Sequence, residues 1–324
     1  MIPTYNCLSY LPETLASVLA QDPGPEYMQI AVVDDCSTDG DVRALVQAIG
    51  KNRVEYYQQE KNLGSLRNFE MCLNRSTGQW IHILHGDDLV APGFYSEIER
   101  LFREYPEAGA AFTNTGNLFA GQKEVVARTP LASKPGVLKN FLLTIAECQQ
   151  LETPAIVVKR KVYEHLGGFF AVHYGEDWEM WTRIAAHYPI AYSPECLAHY
   201  RYLNNTSITH RSVRNGQNVR DIIKVCDIIQ GYLPSDQRKR IRQKASRHYA
   251  FYCISMANAL YTTELESALI QAKGALRLSK DPEVLYLVLK LYLKMLLNGG
   301  FTKYFTEDTS KKQHKVRHLF GSTH

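Results

Sequence analysis

Two short apolar runs that end in acids constrain the fold of this chain more than anything else in it. Residues 30–33 run into Asp34-Asp35, and residues 80–84 run into His85-Gly86-Asp87-Asp88. Helical spacing surrounds them: Leu11, Leu15 and Val18 before the first, Leu66, Phe69 and Leu73 before the second, and Phe94, Ile98 and Leu101 after it. Further strands at 54–57 and 110–113 continue the alternation, the pattern of parallel βαβ units. Acids at the carboxyl ends of such strands stand where an open α/β sheet binds its ligands.

Residues 116–136 read as an irregular loop able to cover a substrate. A strand at 156–158, a short helix at 161–166 stopped by Gly167-Gly168, a helical face on Trp178, Trp181 and Ile184, and a strand at 196–202 then complete a first domain over residues 1–210. From 211 to 305 the pattern is helical, broken at Pro234 and Pro282. Residues 306–324 are polar and basic and are expected to fray.

At 45% apolar and 22% charged, the 324-residue chain has an ordinary globular composition. Its seven cysteines include no Cys-x-x-Cys pair, which suits reduced thiols in a cytoplasmic protein better than a disulfide framework or zinc site. No signal peptide is read at the start. The apolar stretch 284–297 is interrupted by Lys290 and Lys294 and falls short of the ~20 residues of a membrane span. Net charge is only +4, yet ten Arg or Lys residues against three Asp crowd residues 211–250. Such a run could meet anionic lipid headgroups or a lipid pyrophosphate. A solvated helix surface is the plainer reading, and no recognised module points to nucleic acid.

Four signatures carry a resemblance: Pro3-Thr4-Tyr5-Asn6, residues 32–40 (Val-Val-Asp-Asp-Cys-Ser-Thr-Asp-Gly), His85-Gly86-Asp87-Asp88, and Gly175-Glu176-Asp177-Trp178. Together they resemble the family 2 glycosyltransferases, inverting enzymes of bacterial surface-glycan synthesis. The resemblance implies an α/β fold of GT-A type, the nucleotide-diphospho-sugar transferase architecture. That is a Rossmann-like mixed sheet with flanking helices, here followed by a C-terminal α-helical region. Family members carry an apolar strand of about five residues before the Pro-Thr-Tyr-Asn turn. Only Met1 and Ile2 precede it here, so the expected first strand is truncated.

Carried over residue by residue, the family pattern has Tyr5 stacking on the nucleobase, Pro3 offering backbone contacts, and Asp34 or Asp35 accepting a hydrogen bond from the base. Asp39 is either part of that loop's site or a helix cap. Arg67, in the segment 62–68, would contact base or phosphate. The fold's Asp-x-Asp metal motif falls on His85-Gly86-Asp87, with its first acid replaced. The implied cofactor is Mg²⁺ or Mn²⁺, held by Asp87, with Asp88 as an outer or alternative ligand and His85 as a ligand or a ribose contact. Asp177 takes the place of the general base, Glu176 binds acceptor or donor sugar, and Trp178 offers a platform for a sugar ring. Trp181 reads as core. His199, Arg201 and His210 match loosely the basic residues that reach a pyrophosphate. Gly167-Gly168-Phe169 fits a family turn and reads as structural.

The expected activity is transfer of one sugar, from a UDP-sugar, to an acceptor hydroxyl in polysaccharide, lipopolysaccharide or capsule synthesis. It would proceed by metal-assisted single displacement at the cytoplasmic face of the membrane. The Gln-x-x-Arg-Trp signature of processive synthases is absent. The expected partners are a nucleotide diphosphate sugar, a glycan or lipid-linked glycan acceptor and, peripherally, anionic membrane. Signalling receiver domains leave the Pro-Thr-Tyr-Asn turn unexplained, and nucleotidyltransferases would need a Gly-rich loop there. A catalytically silent nucleotide-sugar or glycan-binding scaffold is the rival reading, motivated by His85.

Overall fold

The computed structural model describes residues 1–119, 122, 124–202 and 208–297, so the expected basic tail 306–324 lies outside the described residues. The chain divides into two compact units, Met1–Asn205 with Ile228–Arg238, and Thr206–Asp227 with Lys239–His324. In the first unit the order is β1 (Ile2–Thr4), α1 (Leu11–Leu19), β2 (Ala31–Asp34), α2 (Val42–Gly50), β3 (Glu55–Gln58), α3 (Ser65–Arg75) and β4 (Trp80–His82). There follow β5 (Leu89–Val90), α4 (Phe94–Glu104), β6 (Ala110–Phe119), β7 (Val125–Ala127), β8 (Gly136–Val137), α5 (Phe141–Glu147), β9 (Ile156–Lys159), α6 (Arg160–Leu166), α7 (Glu176–His187) and β10 (Ile190–Tyr202).

Strands β1, β2 and β3 form a parallel sheet in that order, and a mixed sheet runs β4-β9-β6-β10-β5. Three backbone hydrogen bonds join them: the Met1 amine donates to His82 O at 2.9 Å, Leu84 N to Met1 O at 3.0 Å, and Gly86 N to Pro3 O at 3.1 Å. This is the ladder of a parallel pair with one rung missing, because Pro3 has no N–H to offer. The strand order across the join is therefore β3-β2-β1-β4. It reverses direction between β1 and β4, and the crevice of a doubly wound sheet opens beyond the carboxyl ends of the strands at such a switch. Leu11, Leu15, Val18, Val32, Phe94 and Ile98 fill the core beneath.

One expectation fails. Within 116–136, residues 116–119 and 125–127 are strand and not irregular loop: β6 continues to Phe119, pairing in parallel with β10 and antiparallel with β7. The polar run Thr113-Asn114-Thr115-Gly116-Asn117 hides this strand from a hydrophobic pattern. Gly116 is required in it, since a Cβ there would lie 2.2 Å from Val125 Cγ1 and 2.8 Å from Cys196 Sγ.

The second unit is helical: α8 (Ile208–Asn215), α9 (Gln217–Ile228), α10 (Arg238–Leu260), α11 (Leu265–Leu278) and α12 (Pro282–Leu297). Small residues let its helices approach closely. Ala250, Ala257, Ala268, Ala272 and Ala275 line the core with Val284, Val288, Leu291 and Met295 of α12. A Cβ on Gly274 would sit 2.5 Å from Val219.

Candidate active site

Three loops meet at the switch point, each rising from a strand end. After β1, Asn6 adopts φ 50°, and its side-chain oxygen accepts Thr38 N at 2.8 Å. The Asp39 carboxylate accepts Leu8 N at 2.8 Å, so Asp39 ties this loop to the next. The helix cap is Asp41, which accepts Ala44 N. Tyr5 is left 47% exposed at the rim, and Pro3 lies in the wall.

The acids of the β2 loop are buried and occupied. Asp34 Oδ1 accepts Ser37 N at 3.0 Å and its hydroxyl at 2.6 Å, while Oδ2 accepts Tyr56 OH at 2.7 Å. Asp35 accepts Leu63 N and Gly64 N, both at 2.8 Å, and so fixes the start of α3. Arg67 projects from α3, its side chain 67% exposed, and pairs with Glu70.

The β4 loop is held differently. Gly86 passes so close to β1 that a Cβ would meet Cys7 Sγ at 2.7 Å and Thr4 Oγ1 at 2.9 Å. The buried Thr14 hydroxyl reaches Asp88 O at 2.8 Å and Gly86 O at 3.1 Å. From the end of β10, Arg201 donates its backbone N–H to Asp88 Oδ1 at 2.8 Å, its Nε to Asp87 O at 2.8 Å and its Nη2 to Glu13 at 2.7 Å. Arg201 thus clamps the turn to α1. The ligating atoms of His85, Asp87 and Asp88 lie within 4.8 Å of one another.

Two buried atoms in this cluster, His85 Nε2 and Asp88 Oδ2, have no hydrogen-bond partner. Native structures rarely leave such atoms orphaned without a ligand to receive them. Burial pushes the Asp88 carboxyl up to about 6, against the stabilising His85, and raises Asp87 as well. Burial alone would lower His85, but the Asp88 carboxylate, whose Oδ2 lies 3.5 Å from His85 Nδ1, with the charges of Asp87 and Glu176, raises it to about 9. A pocket that favours positive charge this strongly, through two carboxylates and an imidazole, fits a divalent cation.

Helix α7 begins beyond Gly175, whose φ of 82° is left-handed. Its first residues are Glu176 and Asp177; the charge of Glu176 raises His85, and that of His85 lowers Asp177. Burial and the charge of Glu152 push Asp177 up to about 6. Gln149 donates to Asp177 Oδ2 at 2.6 Å, and Arg128 pairs with Glu152 at 2.6 Å. Asn114, Thr115, Arg128, Gln149 and Gln150 line a cavity of about 190 Å³ beside this chain of contacts.

Trp178 does not serve as a sugar platform. It is 1% exposed, and its indole N–H donates to Ile145 O at 2.6 Å, because the helical period turns it away from Asp177 into the core. Trp181 is buried as expected.

Comparison with known proteins settles the class. Residues 1–146 match the model for glycosyl transferase family 2. Over those residues the chain is similar to that family. The putative teichuronic acid biosynthesis glycosyltransferase TuaG of Bacillus subtilis is 26% identical over 219 residues, covering 63% of this chain and 78% of that one. Two solved structures share the GT-A fold. S. aureus TarS 1-349 in complex with UDP-GlcNAc aligns with TM-score 0.64 and 17% identity over 97% of this chain and 90% of that one. The mannosyltransferase PcManGT of Pyrobaculum calidifontis, in complex with GDP-Man and Mn²⁺, aligns with TM-score 0.56 and 19% identity over 99% and 86%.

Several residues of the candidate site escaped the sequence reading. Thr14, Gln149, Glu152 and Arg128 lie in no motif, and only contacts across the fold single them out. Tyr200 is another: burial and the charges of Glu152, Asp88 and Asp87 hold its phenol protonated. The loosely matched Arg201 turns out to hold the Asp87-Asp88 turn, whereas His210 belongs to α8 of the helical unit. Much of the basic run is spent inside that unit, where Arg214 pairs with Glu264, Arg242 with Asp227 and Arg247 with Asp281.

Proposed function

We propose that this glycosyltransferase moves a sugar from a UDP-sugar to a hydroxyl of a cell-surface glycan, inverting the anomeric centre. The observation that carries this reading is the meeting of two acid clusters at the switch point. One, His85-Asp87-Asp88, has orphaned ligand atoms. The other is Asp177, whose carboxyl is raised to about 6. TarS, solved with UDP-GlcNAc, and TuaG, whose description is teichuronic acid biosynthesis, support the donor and the class of product.

Asp177 is the proposed general base. A carboxylate with a pKa near 6 is ionised at neutral pH yet basic enough to take a proton in the transition state. Gln149 and the Trp178 N–H orient it. As the acceptor oxygen bonds to the anomeric carbon, its proton passes to Asp177 and the bond to the diphosphate oxygen breaks on the opposite face. Asp87, Asp88 and His85 would hold Mg²⁺ or Mn²⁺, which supplies countercharge for the departing diphosphate. Glu176 is suited to a sugar hydroxyl. Tyr5, with its ring half exposed, is the side chain on which a nucleobase would stack, and Pro3 would offer backbone contacts. Asp34 and Asp35 shape that floor with their loops, and Asp34 Oδ2 and both Asp35 oxygens, each accepting one hydrogen bond, keep a lone pair for the base. Arg67 stands at the outer edge for phosphate.

Release of UDP from UDP-GlcNAc and related UDP-sugars, measured with Mn²⁺ and repeated with Asp177→Asn, tests the reading. The substitution should lower the rate ~100-fold or more while leaving UDP binding intact. An unchanged rate would remove Asp177 from its role.

A further inference from the structure

The C-terminal helix of the helical unit carries apolar residues on two sides. Val284, Val288, Leu291 and Met295 are buried against α10 and α11. Leu285, Tyr286, Leu289, Leu293, Leu296 and Leu297 are exposed, at 45–87% of their surface. At 100° per residue these six fall in one stripe about 120° wide. Lys290 and Lys294, both exposed, follow directly on one edge of it. Among the described residues no other helix shows an exposed run of this kind.

We propose that this face of α12 docks on the surface of an anionic lipid bilayer. Leucines beside an amphipathic Tyr, with Lys at the margin, are the side chains that seat a helix in the headgroup region with its ammonium groups at the phosphates. The helix has 16 residues, about 24 Å, and no helix among the described residues is long and apolar enough to cross a membrane. It lies on the bilayer and does not span it. A second copy of the chain fits the face poorly: a strip about 24 Å by 10 Å offers roughly 240 Å², against the ~800 Å² per partner of a stable interface. Charge agrees with the bilayer, since the sequence past Leu297 carries five Lys or Arg against two acids. Docking there would hold the enzyme on the surface where a lipid-linked acceptor resides.

The test is flotation of the full chain with phosphatidylcholine vesicles and with vesicles containing about one-third phosphatidylglycerol. The wild type should float with the anionic vesicles. Leu289→Ser with Leu293→Ser should lower the bound fraction ~10-fold or more through lost apolar burial. Lys290→Glu with Lys294→Glu should lower it by a similar ~10-fold through charge. Because these side chains are exposed, thermal unfolding should be unchanged. UDP-sugar hydrolysis in solution should also be unchanged, which separates failure of this proposal from failure of the transferase reading. Wild type that stays below the gradient, or that binds neutral vesicles equally and is indifferent to the Lys pair, overturns the proposal. So does light scattering that shows a dimer which the Leu pair dissolves.

Discussion

Asp34-Asp35 and Asp87-Asp88 look alike in sequence, paired acids closing a strand, yet the fold treats them in opposite ways. Every oxygen of the first pair meets a protein donor: Ser37 and Tyr56 on Asp34, Leu63 and Gly64 on Asp35. The second pair is held mainly by its backbone, through Thr14 and Arg201; of the Asp88 oxygens, Oδ1 accepts Arg201 N–H, while Oδ2 accepts no hydrogen bond and only faces His85 Nδ1 at 3.5 Å. A carboxylate whose oxygens meet N–H groups is building a loop. One fixed mostly through its main chain, with a buried oxygen that accepts no hydrogen bond, is reserved for something else, and the protein bears the cost of burying that charge.

The contrast breaks most sharply at Asp87. Asp87→Asn should cut transfer ~100-fold or more and abolish the rise in melting temperature on adding Mn²⁺ with UDP. Stability without ligand should not fall, because burial already works against this charge. If Asp87→Asn unfolds the protein, Asp87 is a structural acid like Asp35 and the contrast collapses.

Asp35→Ala should do the reverse. It strands the part-buried Leu63 and Gly64 N–H groups at the start of α3, at a cost of about 1–3 kcal/mol for the two hydrogen bonds lost. Urea denaturation should show the loss. Activity per folded molecule should drop less than in the Asp87 variant.

The positions of the acids were legible from sequence because apolar runs ending in Asp-Asp report strand ends locally. Their division of labour was not, since it depends on Tyr56, Leu63 and Arg201, which come from other strands and loops. Trp178 shows the same limit. Its neighbour Asp177 faces the cleft, and one residue of helical rotation sends the indole into the core. The strand at 110–119 was half-visible for a related reason: its far end is built of Asn, Thr and Gly, which pair well but leave no apolar period.

A pH profile sharpens the comparison by about tenfold per pH unit, or 1.4 kcal/mol. With Asp177 raised to about 6, the ionised base is lost below that pH, so kcat/KM should fall with unit slope on the acid side. Stability moves the opposite way. The raised carboxyl favours the fold when protonated, a contribution fully present below the unfolded value of ~4 and lost as pH rises through about 6. Asp177→Asn should therefore melt no lower than wild type at pH 8, and a lower melting temperature there would contradict the sign.

The smallest effect expected is at Thr14. Its buried hydroxyl is shared by the carbonyls of Gly86 and Asp88, and it reaches no side chain of the proposed metal cluster. Thr14→Val keeps the shape and removes the donor, so stability should fall by only about 1 kcal/mol. The turn would still be held by Arg201. If backbone fixation is what aims Asp87 and Asp88 into the cleft, the half-saturating Mn²⁺ concentration should rise several-fold while the rate at saturating metal changes little. A loss of stability with no change in metal dependence would instead make Thr14 a packing residue, and would leave Arg201 as the side chain that positions the acids.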